Sequence, residues 1–400
     1  MKRFKLFGAA FLLASVLSLN SQASQKIVSF GPGASAREGL AGLEKLGGRI
    51  VKDLLLINSV AMEFPDKVAD SAILACPHVG MVEDDLVIKW IEEAPAALPL
   101  SYINTSLRTI SSGEYTGYIP FPAAPKAAVN PKEIQWGVKR VNAPAAWDRT
   151  MGQGVKVGII DTGMDYNHPD LKANYAGGYN AVEPAKTPLD DNGHGTHVSG
   201  IIGAVNDGAG VVGVAPGASL YAVKVLNAQG SGAYSGIIDG IQWAVNNKMN
   251  VVNMSLGGPS GSAALQKAVE AAYKAGVTLV MAAGNDSGPV NYPAKYTQAI
   301  AVAASDSADR IASFSSRGPE IAFIAPGVAV NSTYMGGIYK PLSGTSMACP
   351  HVAGLAALAV GAGAKTPAAV RKALTGAAVS IGLQPTEQGA GLVDAGKLVK

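Results

Sequence analysis

The sequence has few cysteines and few aromatic residues, and no long run of one charge. Only Cys76 and Cys349 occur in 400 residues, and Phe, Trp and Tyr together make up 6%. Two cysteines so far apart give no disulfide framework of the kind found in small secreted domains. Three of the 32 basic residues lie within the first five positions, which leaves 29 basic against 29 acidic groups elsewhere. This neutral balance gives no support for nucleic-acid binding.

Apolar residues and glycine are abundant instead. The chain is 48% hydrophobic and contains 48 glycines, which is typical of a tightly packed α/β protein with many turns. Its length favours two domains.

The chain divides into four predicted parts. Residues 1–23 predict a secretory signal peptide, because basic residues precede an apolar run and small residues follow it. That run is too short to span a membrane comfortably, so we expect a secreted, extracellular protein that is free of the membrane. Residues 91–130 are rich in Pro, Ala and Ser and predict a linker. It separates a domain at 24–90 from a domain at 131–400.

The two domains differ in their predicted elements. The first has strands at 26–30, 49–57, 60–64 and 79–88 with helices at 36–46 and 66–75, which is the order of a ferredoxin-like α+β unit. The second alternates strands (155–160, 219–225, 251–255, 277–282 and 300–304) with helices beginning at 194, 235, 263 and about 346. This alternation predicts a mostly parallel sheet with helices on both faces and polar residues at the carboxyl ends of its strands.

A serine opens the most apolar predicted helix. Ser346 lies in Gly344-Thr345-Ser346-Met347-Ala348, ahead of an Ala/Leu-rich run. Its hydroxyl and N–H are therefore placed at a helix N-terminus, where free donors and the helix dipole favour an oxyanion. A lone serine there is more often a simple N-cap, so its interpretation depends on the rest of the chain.

Three other polar residues have settings that suit catalysis. Asp161 ends an apolar strand and can orient an imidazole. His194 stands between two glycines at a helix start, and the chain has only five histidines. Asn285 ends another apolar strand and can donate to an oxyanion together with the Ser346 N–H. Taken alone, Asp161 is more typical of a turn or a cap, and an isolated Asn285 is typical of a turn.

The pair His194 and His197 raises the alternative of a zinc site. The two histidines lack the i,i+4 spacing and the intervening helical glutamate of the common zinc motif. We therefore favour the catalytic interpretation.

The order of these residues separates hydrolase architectures. An α/β-hydrolase places its serine first, in a G-x-S-x-G turn, and this chain does neither, whereas Asp, His, Ser is the subtilisin order. Over about 131–400 the chain resembles the subtilase family of serine endopeptidases. The resemblance rests on Asp161-Thr162-Gly163, His194-Gly195-Thr196-His197, Asn253-Met254-Ser255-Leu256-Gly257-Gly258 and Gly344-Thr345-Ser346-Met347-Ala348. Residues 26–90 resemble, more weakly, the family's propeptide, which is an intramolecular chaperone and inhibitor.

The resemblance implies a three-layer subtilisin-like fold and a role for each catalytic candidate. Ser346 would be the nucleophile of an acyl-enzyme mechanism, His194 the general base and then acid, Asp161 its orienting partner and Asn285 the oxyanion donor. Substrate would pair with two edge segments and fill a pocket, formed by Gly230, Ser231, Gly232, Ser255, Leu256, Gly257, Ala283, Gly284 and Asn291. No Asp or Glu stands at these positions, so we expect broad cleavage after large apolar or aromatic residues.

The resemblance also implies a structural calcium ion. Its ligands would be the side chains of Asp170 and Asp207 and the carbonyls of Val205, Ala209 and Val211, since calcium prefers several oxygens. The family usually adds a glutamine side chain, and Lys132 stands at that position. A cationic lysine cannot coordinate calcium, so either Glu133 substitutes or the site is weaker.

A self-processing zymogen is a further implication. The acidic residues Glu83, Asp84 and Asp85 would cap helix N-termini of the peptidase domain, or would form a solvated turn. The tail through Trp90 would lie in the cleft, and the mature N-terminus would fall within 91–131. Cys349 is expected to be a buried packing residue.

Two rival functions stay open at this point. One is a catalytically silent binding protein on the same fold, and the other is an esterase or lipase that uses the same triad. For the endopeptidase we expect a monomer whose partners are protein and peptide substrates and its own propeptide.

Overall fold

The computed structural model of the protein describes residues 24–34, 36–91 and 134–399. The predicted signal peptide, most of the predicted linker, Lys132 and Glu133 lie outside these ranges. Within them no helix has the length and apolar character that crossing a membrane would require.

The first unit is a small antiparallel sheet with two helices. Its elements are β1 (Ser24–Phe30), α1 (Ala36–Lys45), β2 (Arg49–Leu54), β3 (Ser59–Phe64), α2 (Asp70–Leu74) and β4 (Val79–Asp84). The sheet order is β2-β3-β1-β4, which is the predicted ferredoxin-like arrangement. Its own core contains Phe30, Leu43, Met62, Phe64 and Ile73.

Three predicted elements of this unit were too long. Residues 55–57 form a 3-10 turn rather than the end of β2, because Asn58 adopts a left-handed conformation that turns the chain into β3. Helix α2 begins at Asp70 rather than at residue 66. The predicted strand 79–88 breaks after Asp84, and its second part, β5 (Val87–Lys89), pairs with the second unit.

The second unit contains the remaining strands and helices. The strands are β6 (Lys156–Asp161), β7 (Tyr175–Asn180), β8 (Ser219–Lys224), β9 (Ser231–Ala233), β10 (Val251–Met254), β11 (Thr278–Ala282), β12 (Ile300–Ser305), β13 (Ile321–Pro326), β14 (Val330–Tyr334), β15 (Ile338–Leu342), β16 (Ala378–Val379) and β17 (Leu392–Val393). The helices are α3 (Trp136–Arg140), α4 (Pro169–Lys172), α5 (His194–Gly203), α6 (Tyr234–Asn246), α7 (Ala263–Lys274), α8 (Thr345–Gly361), α9 (Pro367–Ala377), α10 (Pro385–Gln388) and α11 (Ala395–Leu398).

A large, mostly parallel sheet organises this unit. Its order is β16-β17-β13-β12-β11-β10-β6-β8-β7, and only the β16–β17 pair is antiparallel. The central strands are buried along their whole length, as expected for parallel strands covered on both faces. Helices α5 and α8 pack together against the sheet, and α6 and α7 form a separate pair. The predicted three-layer α/β architecture is confirmed.

The strand order places the candidate site. After β6 the chain builds β7 and β8 on one side of that strand and β10 to β13 on the other. The carboxyl end of β6 is therefore a topological switch point, where ligands of open α/β sheets bind. Asp161 is the last residue of β6.

The two units meet through polar contacts from β2, from the turn that follows it and from the acidic segment Glu83-Asp84-Asp85. Lys52 Nζ donates to the Ala181 carbonyl at 2.6 Å, and the Leu56 N–H donates to Gln242 at 2.8 Å. Glu83 accepts hydrogen bonds from the N–H groups of Ala263 and Ala264, both at 2.8 Å, at the start of α7. Asp85 accepts one from the Ser235 N–H at 2.9 Å at the start of α6. The predicted capping is confirmed for these two residues, whereas Asp84 pairs with Lys26 inside the small unit.

Candidate active site

Asp161 and His194 form a buried hydrogen-bonded pair. His194 Nδ1 lies 2.8 Å from Asp161 Oδ1 and 3.0 Å from Oδ2. The carboxylate is fully buried and the histidine is 7% exposed. The Thr162 N–H also donates to Asp161 Oδ1, at 2.7 Å. These contacts hold the carboxylate against the ring. Because the Asp161 carboxylate accepts the hydrogen bond, Nδ1 is the ring nitrogen that carries the proton.

A close approach of backbone to backbone makes this pair possible. A Cβ added to Gly195 would lie 2.1 Å from the Gly163 carbonyl oxygen, so a larger residue there would push α5 away from the end of β6. The glycine after His194 is therefore required so that α5 can come close to the end of β6.

Ser346 lies in the first turn of α8 and is tied to the strand end beside it. Its Oγ donates to the Ser255 carbonyl at 3.2 Å, and Ser255 Oγ donates back to the Ser346 carbonyl at 2.9 Å. Asn253 Nδ2 donates a hydrogen bond to Ser255 Oγ at 3.0 Å, and Cys349 Sγ lies 3.2 Å from Asn253 Oδ1. Burial raises the pKa of the Cys349 thiol, so this cysteine is a protonated packing residue.

Asn285 is oriented by the residue before the serine. Its Oδ1 accepts hydrogen bonds from the N–H and the Oγ1 of Thr345, both at 2.9 Å, which turns the Nδ2 group away from Thr345. A Cβ added to Gly344 would lie 3.4 Å from Asn285 Nδ2 and 3.5 Å from the Ser346 nitrogen. The two nitrogen donors therefore border the same space beside Gly344, as the stabilisation of an oxyanion requires.

The tail of the small unit lies along the predicted substrate edge. Strand β5 runs antiparallel to β9, with Ile88 opposite Gly232 and Lys89 opposite Ser231. The Trp90 N–H donates to the Gly230 carbonyl at 2.9 Å, and the Gly257 N–H donates to the Trp90 carbonyl at 3.0 Å. Both edge segments thus pair with one extended chain. The tail through Trp90 thus lies in the cleft as predicted, and the Trp90 side chain is buried against Tyr234 and donates to the Gly232 carbonyl at 2.8 Å.

Beside this tail is a cavity of about 470 Å³. Its lining includes Leu256, Gly257, Ala282, Gly284, Asn291 and Ser346. Two predicted pocket residues differ in position: Ala283 is fully buried and its carbonyl accepts from the Asn291 N–H, while Ser255 is fully buried and faces Ser346.

An acidic residue that is not among the predicted pocket positions also lines the cavity. Asp286 borders it together with Lys295, and its carboxylate accepts a hydrogen bond from Asn291 Nδ2 at 2.7 Å. The signal was present in the sequence, because Asp286 directly follows Asn285. The sequence did not show that the loop after β11 turns the Asp286 side chain toward the pocket.

The two histidines of the zinc alternative contact different elements. His197 Nε2 donates toward the carbonyls of Val330 and Lys340, at 3.1 and 2.8 Å, whereas His194 Nδ1 faces Asp161. Burial, and more weakly the charges of His194 and Lys340, lower the pKa of His197 to about 3. His197 therefore acts as a neutral link between α5 and the β14–β15 hairpin.

The predicted calcium residues gather around Asp170. The Val211 N–H donates to its Oδ2 at 2.8 Å, and Tyr339 Oη donates to its Oδ1 at 3.0 Å. Burial raises the pKa of Asp170, and the negative charge of Asp207 adds to the shift. The described residues contain no cluster of three His, Cys, Asp or Glu side chains, so a cation here needs backbone carbonyls. The loop 205–211 can supply them, and two carboxylates with several carbonyls fit calcium.

Comparison with known proteins agrees with this geometry. The profile of the Subtilase family matches residues 152–391. Subtilisin Savinase of Lederbergia lenta is 49% identical over 270 residues, which cover 66% of this chain and 98% of that protein. An alkaline protease of Shouchella clausii is 40% identical over 384 residues, which cover 88% of this chain and 99% of the relative. Subtilisin E of Bacillus subtilis (strain 168) is 41% identical over 323 residues, 79% of this chain and 74% of the relative.

The family match covers more than half of the chain and contains all four catalytic candidates. The relatives extend the similarity over most of the remaining length. With the parallel sheet, the Asp161–His194 pair and the serine at a helix start, they lead to one conclusion: the chain belongs to the subtilase family of serine endopeptidases.

Proposed function

We propose that the protein is a secreted, self-processing serine endopeptidase in which Asp161, His194 and Ser346 form the catalytic triad and Asn285 stabilises the oxyanion. The observation that carries this proposal is the buried 2.8 Å contact between His194 Nδ1 and Asp161. With Nδ1 protonated and bound to the carboxylate, Nε2 is left as the basic nitrogen.

The chemical steps follow from these positions. Ser346 Oγ attacks the scissile carbonyl carbon while its proton passes to His194 Nε2, and Asp161 stabilises the imidazolium. The negative oxygen would occupy the space between Asn285 Nδ2 and the Ser346 N–H. His194 then gives the proton to the leaving amine, and water hydrolyses the acyl-enzyme by the same route in reverse.

Main-chain pairing supports broad specificity. The tail of the small unit is held through backbone atoms of Gly230 and Gly257 and the β5–β9 ladder, and such pairing does not depend on sequence. Selectivity would then come from the cavity behind Ser346. Its apolar wall at Leu256 and Ala282 favours large apolar or aromatic side chains, and the Asp286 carboxylate is already bonded to Asn291.

The small unit would be the propeptide, and the molecule a monomer that inhibits itself. Its tail occupies the substrate edge, and Glu83 and Asp85 cap two helices of the peptidase unit. Charge at a helix N-terminus stabilises such docking. A calcium ion would be held by Asp170, Asp207 and the carbonyls of Val205, Ala209 and Val211, where it would stabilise the loop.

The intact mass of the chain expressed without residues 1–23 tests this proposal. The wild type should separate into a small unit and a peptidase fragment whose first residue lies within 91–131. The Ser346→Ala chain, folded under the same calcium-containing conditions, should stay whole. If both chains are folded and neither is cut, the protease assignment fails and the silent binding protein becomes the better interpretation.

A further inference from the structure

A buried carboxylate behind the triad has no role in the chemistry described above. Asp190 is 6% exposed and accepts five hydrogen bonds. Its Oδ1 receives Thr162 Oγ1 at 2.8 Å and the N–H groups of Asn192 and Gly193 at 3.0 Å. Its Oδ2 receives the N–H and Oγ1 of Thr196 at 2.9 and 2.6 Å. Burial acts to raise the pKa of Asp190, but these hydrogen bonds outweigh it and hold the pKa below its usual value.

One set of these bonds leads to Asp161. Thr162 Oγ1 donates to Asp190 and accepts from the Gly195 N–H at 2.9 Å, so the hydroxyl is fixed from two sides. The backbone N–H of the same threonine holds Asp161 Oδ1 at 2.7 Å. A shift of Thr162 would therefore move the carboxylate that orients His194.

The other set leads to His194. Gly193 and Thr196 lie on either side of His194 in the chain, and both donate backbone N–H groups to Asp190. The first turn of α5 is thereby attached to the same carboxylate that holds Thr162. Asp190 therefore bonds both to the residue after Asp161 and to backbone N–H groups of the turn that contains His194.

We propose that Asp190 is a positioning residue for the Asp161–His194 pair, which it aligns through Thr162 and the first turn of α5 while its buried negative charge favours the imidazolium. This inference rests on the proposed triad. Asp190 contacts neither Ser346 nor the substrate cleft, so its effect would pass entirely through the pair.

Other charged groups around Asp190 do not duplicate this role. Lys224 is 4% exposed and donates to the Thr162 carbonyl at 2.7 Å, but it also pairs with Asp191 at 2.6 Å. Asp165 accepts a hydrogen bond from the Gly336 N–H instead. His197 is neutral, and Lys340 lies over the Tyr334 ring at 4.7 Å.

The Asp190→Asn chain tests the proposal, because it keeps the shape of the side chain but removes its charge and one acceptor. Self-processed enzyme would be titrated with an irreversible serine-directed inhibitor, and kcat and KM for a short peptide substrate measured from pH 5 to 10. We expect kcat to fall ~10- to 100-fold with little change in KM, as for a small misalignment of catalytic groups. The acid limb of kcat/KM should move to lower pH by about 0.5 unit, because loss of a nearby negative charge lowers the His194 pKa.

Asp306→Asn is the matched control. Asp306 also has a lowered pKa, because hydrogen bonds from the Arg310 and Ala308 N–H groups and the Arg310 side chain outweigh its burial. These partners lie in the turn after β12 and not in the triad. The control should show the wild-type pH profile and kcat. If Asp190→Asn matches this control in both quantities, the proposal is wrong.

Thr162→Val provides a second test if Asp190→Asn does not fold. Valine has nearly the shape of threonine but cannot link Asp190 to Gly195. We expect kcat to fall while the acid limb moves less than in Asp190→Asn, since the Asp190 charge remains. A Thr162→Val enzyme with wild-type kcat would overturn the positioning role. Failure of the wild type itself to turn over substrate would instead contradict the proposed function.

Discussion

Two fully buried histidines, His197 and His351, make the folded state sensitive to acid. Burial lowers the pKa of His351 to about 4 and is also the main cause that lowers that of His197 to about 3. His351 Nδ1 donates to the Met347 carbonyl at 2.8 Å inside α8. Neither ring can take up a proton in the folded chain at mildly acidic pH, whereas both can once the chain unfolds. Since His351 lies in α8, protonation of its ring would destabilise the helix that carries the proposed nucleophile Ser346.

We predict that acid destabilises the fold through these residues. The unfolded chain binds more protons than the folded chain between pH 6.5 and 4. The free energy of unfolding should therefore fall as the pH falls through this window, by about 1.4 kcal/mol per pH unit for each histidine. Urea unfolding of Ser346→Ala chains at several pH values would measure the slope. His351→Gln should reduce it by about the contribution of one histidine.

His78→Asn is the control for this measurement. His78 is exposed in the small unit, and its left-handed backbone conformation suits asparagine. Its replacement should leave the slope unchanged. An equal slope in His351→Gln and in the parent chain would contradict the assignment of acid sensitivity to His351.

At the scale of elements, the sequence predicted the strands and helices whose bounds are marked by nearby residues. Strand–helix alternation located β6, β10, β11 and α5 to within about two residues, because apolar periodicity and glycines mark their ends. The same reasoning missed β7 and the β14–β15 hairpin. Their exposure patterns are mixed, so no clean apolar alternation marks these strands in the sequence. Strand β7 also pairs with β8, which lies far along the chain.

In the candidate site, too, the residues within local motifs were predicted and a residue that acts through a distant contact was not. The motifs singled out Asp161, His194, Asn285 and Ser346, and the structure brings Asp161 to His194 and Asn285 to the start of α8. Asp190 was passed over although it stands four residues before His194. Its importance lies in the bond to Thr162, 28 residues away, and nothing in the local sequence reveals such a contact.

The acidic caps on α6 and α7 should slow the dissociation of the small unit from the peptidase unit. Glu83→Gln removes the charge that faces the N-terminus of α7, and losing a cap costs about 0.5–2 kcal/mol. We expect the cut small unit to leave the peptidase unit ~2- to 30-fold faster. The lag between self-cleavage and full activity toward a peptide substrate should shorten accordingly.

Asp84→Asn is the matched control, because Asp84 is adjacent but 60% exposed and bonded to Lys26 in its own unit. Lys26 also pairs with Asp70, so the small unit keeps an ion pair after the change. Its lag should equal that of the wild type. Similar lags in Glu83→Gln and Asp84→Asn would show that the α7 cap does not contribute to docking.

At the scale of the whole molecule, the two units have different sources of stability. The peptidase unit has one large core around its central strands, whereas the small unit has a core of seven fully or almost fully buried residues. Burial of apolar area is the dominant favourable term in folding. The small unit therefore depends more on docking. The loop 205–211 lies at the surface of the large unit, where a bound cation can add stability that the core does not supply.

Chelation should lower the thermal stability of the peptidase unit. Binding to the folded state alone contributes about 2.7 kcal/mol at a calcium concentration 100 times Kd, or about 5–10 °C in Tm for a domain of this size. Calorimetry of the Ser346→Ala chain in calcium and in excess chelator would measure the difference. Asp207→Ala should abolish it by removing one carboxylate from the loop, whereas Asp148→Ala, at an exposed aspartate, should preserve it. A parent chain whose Tm does not respond to the chelator would exclude calcium as a stabilising ligand of this loop.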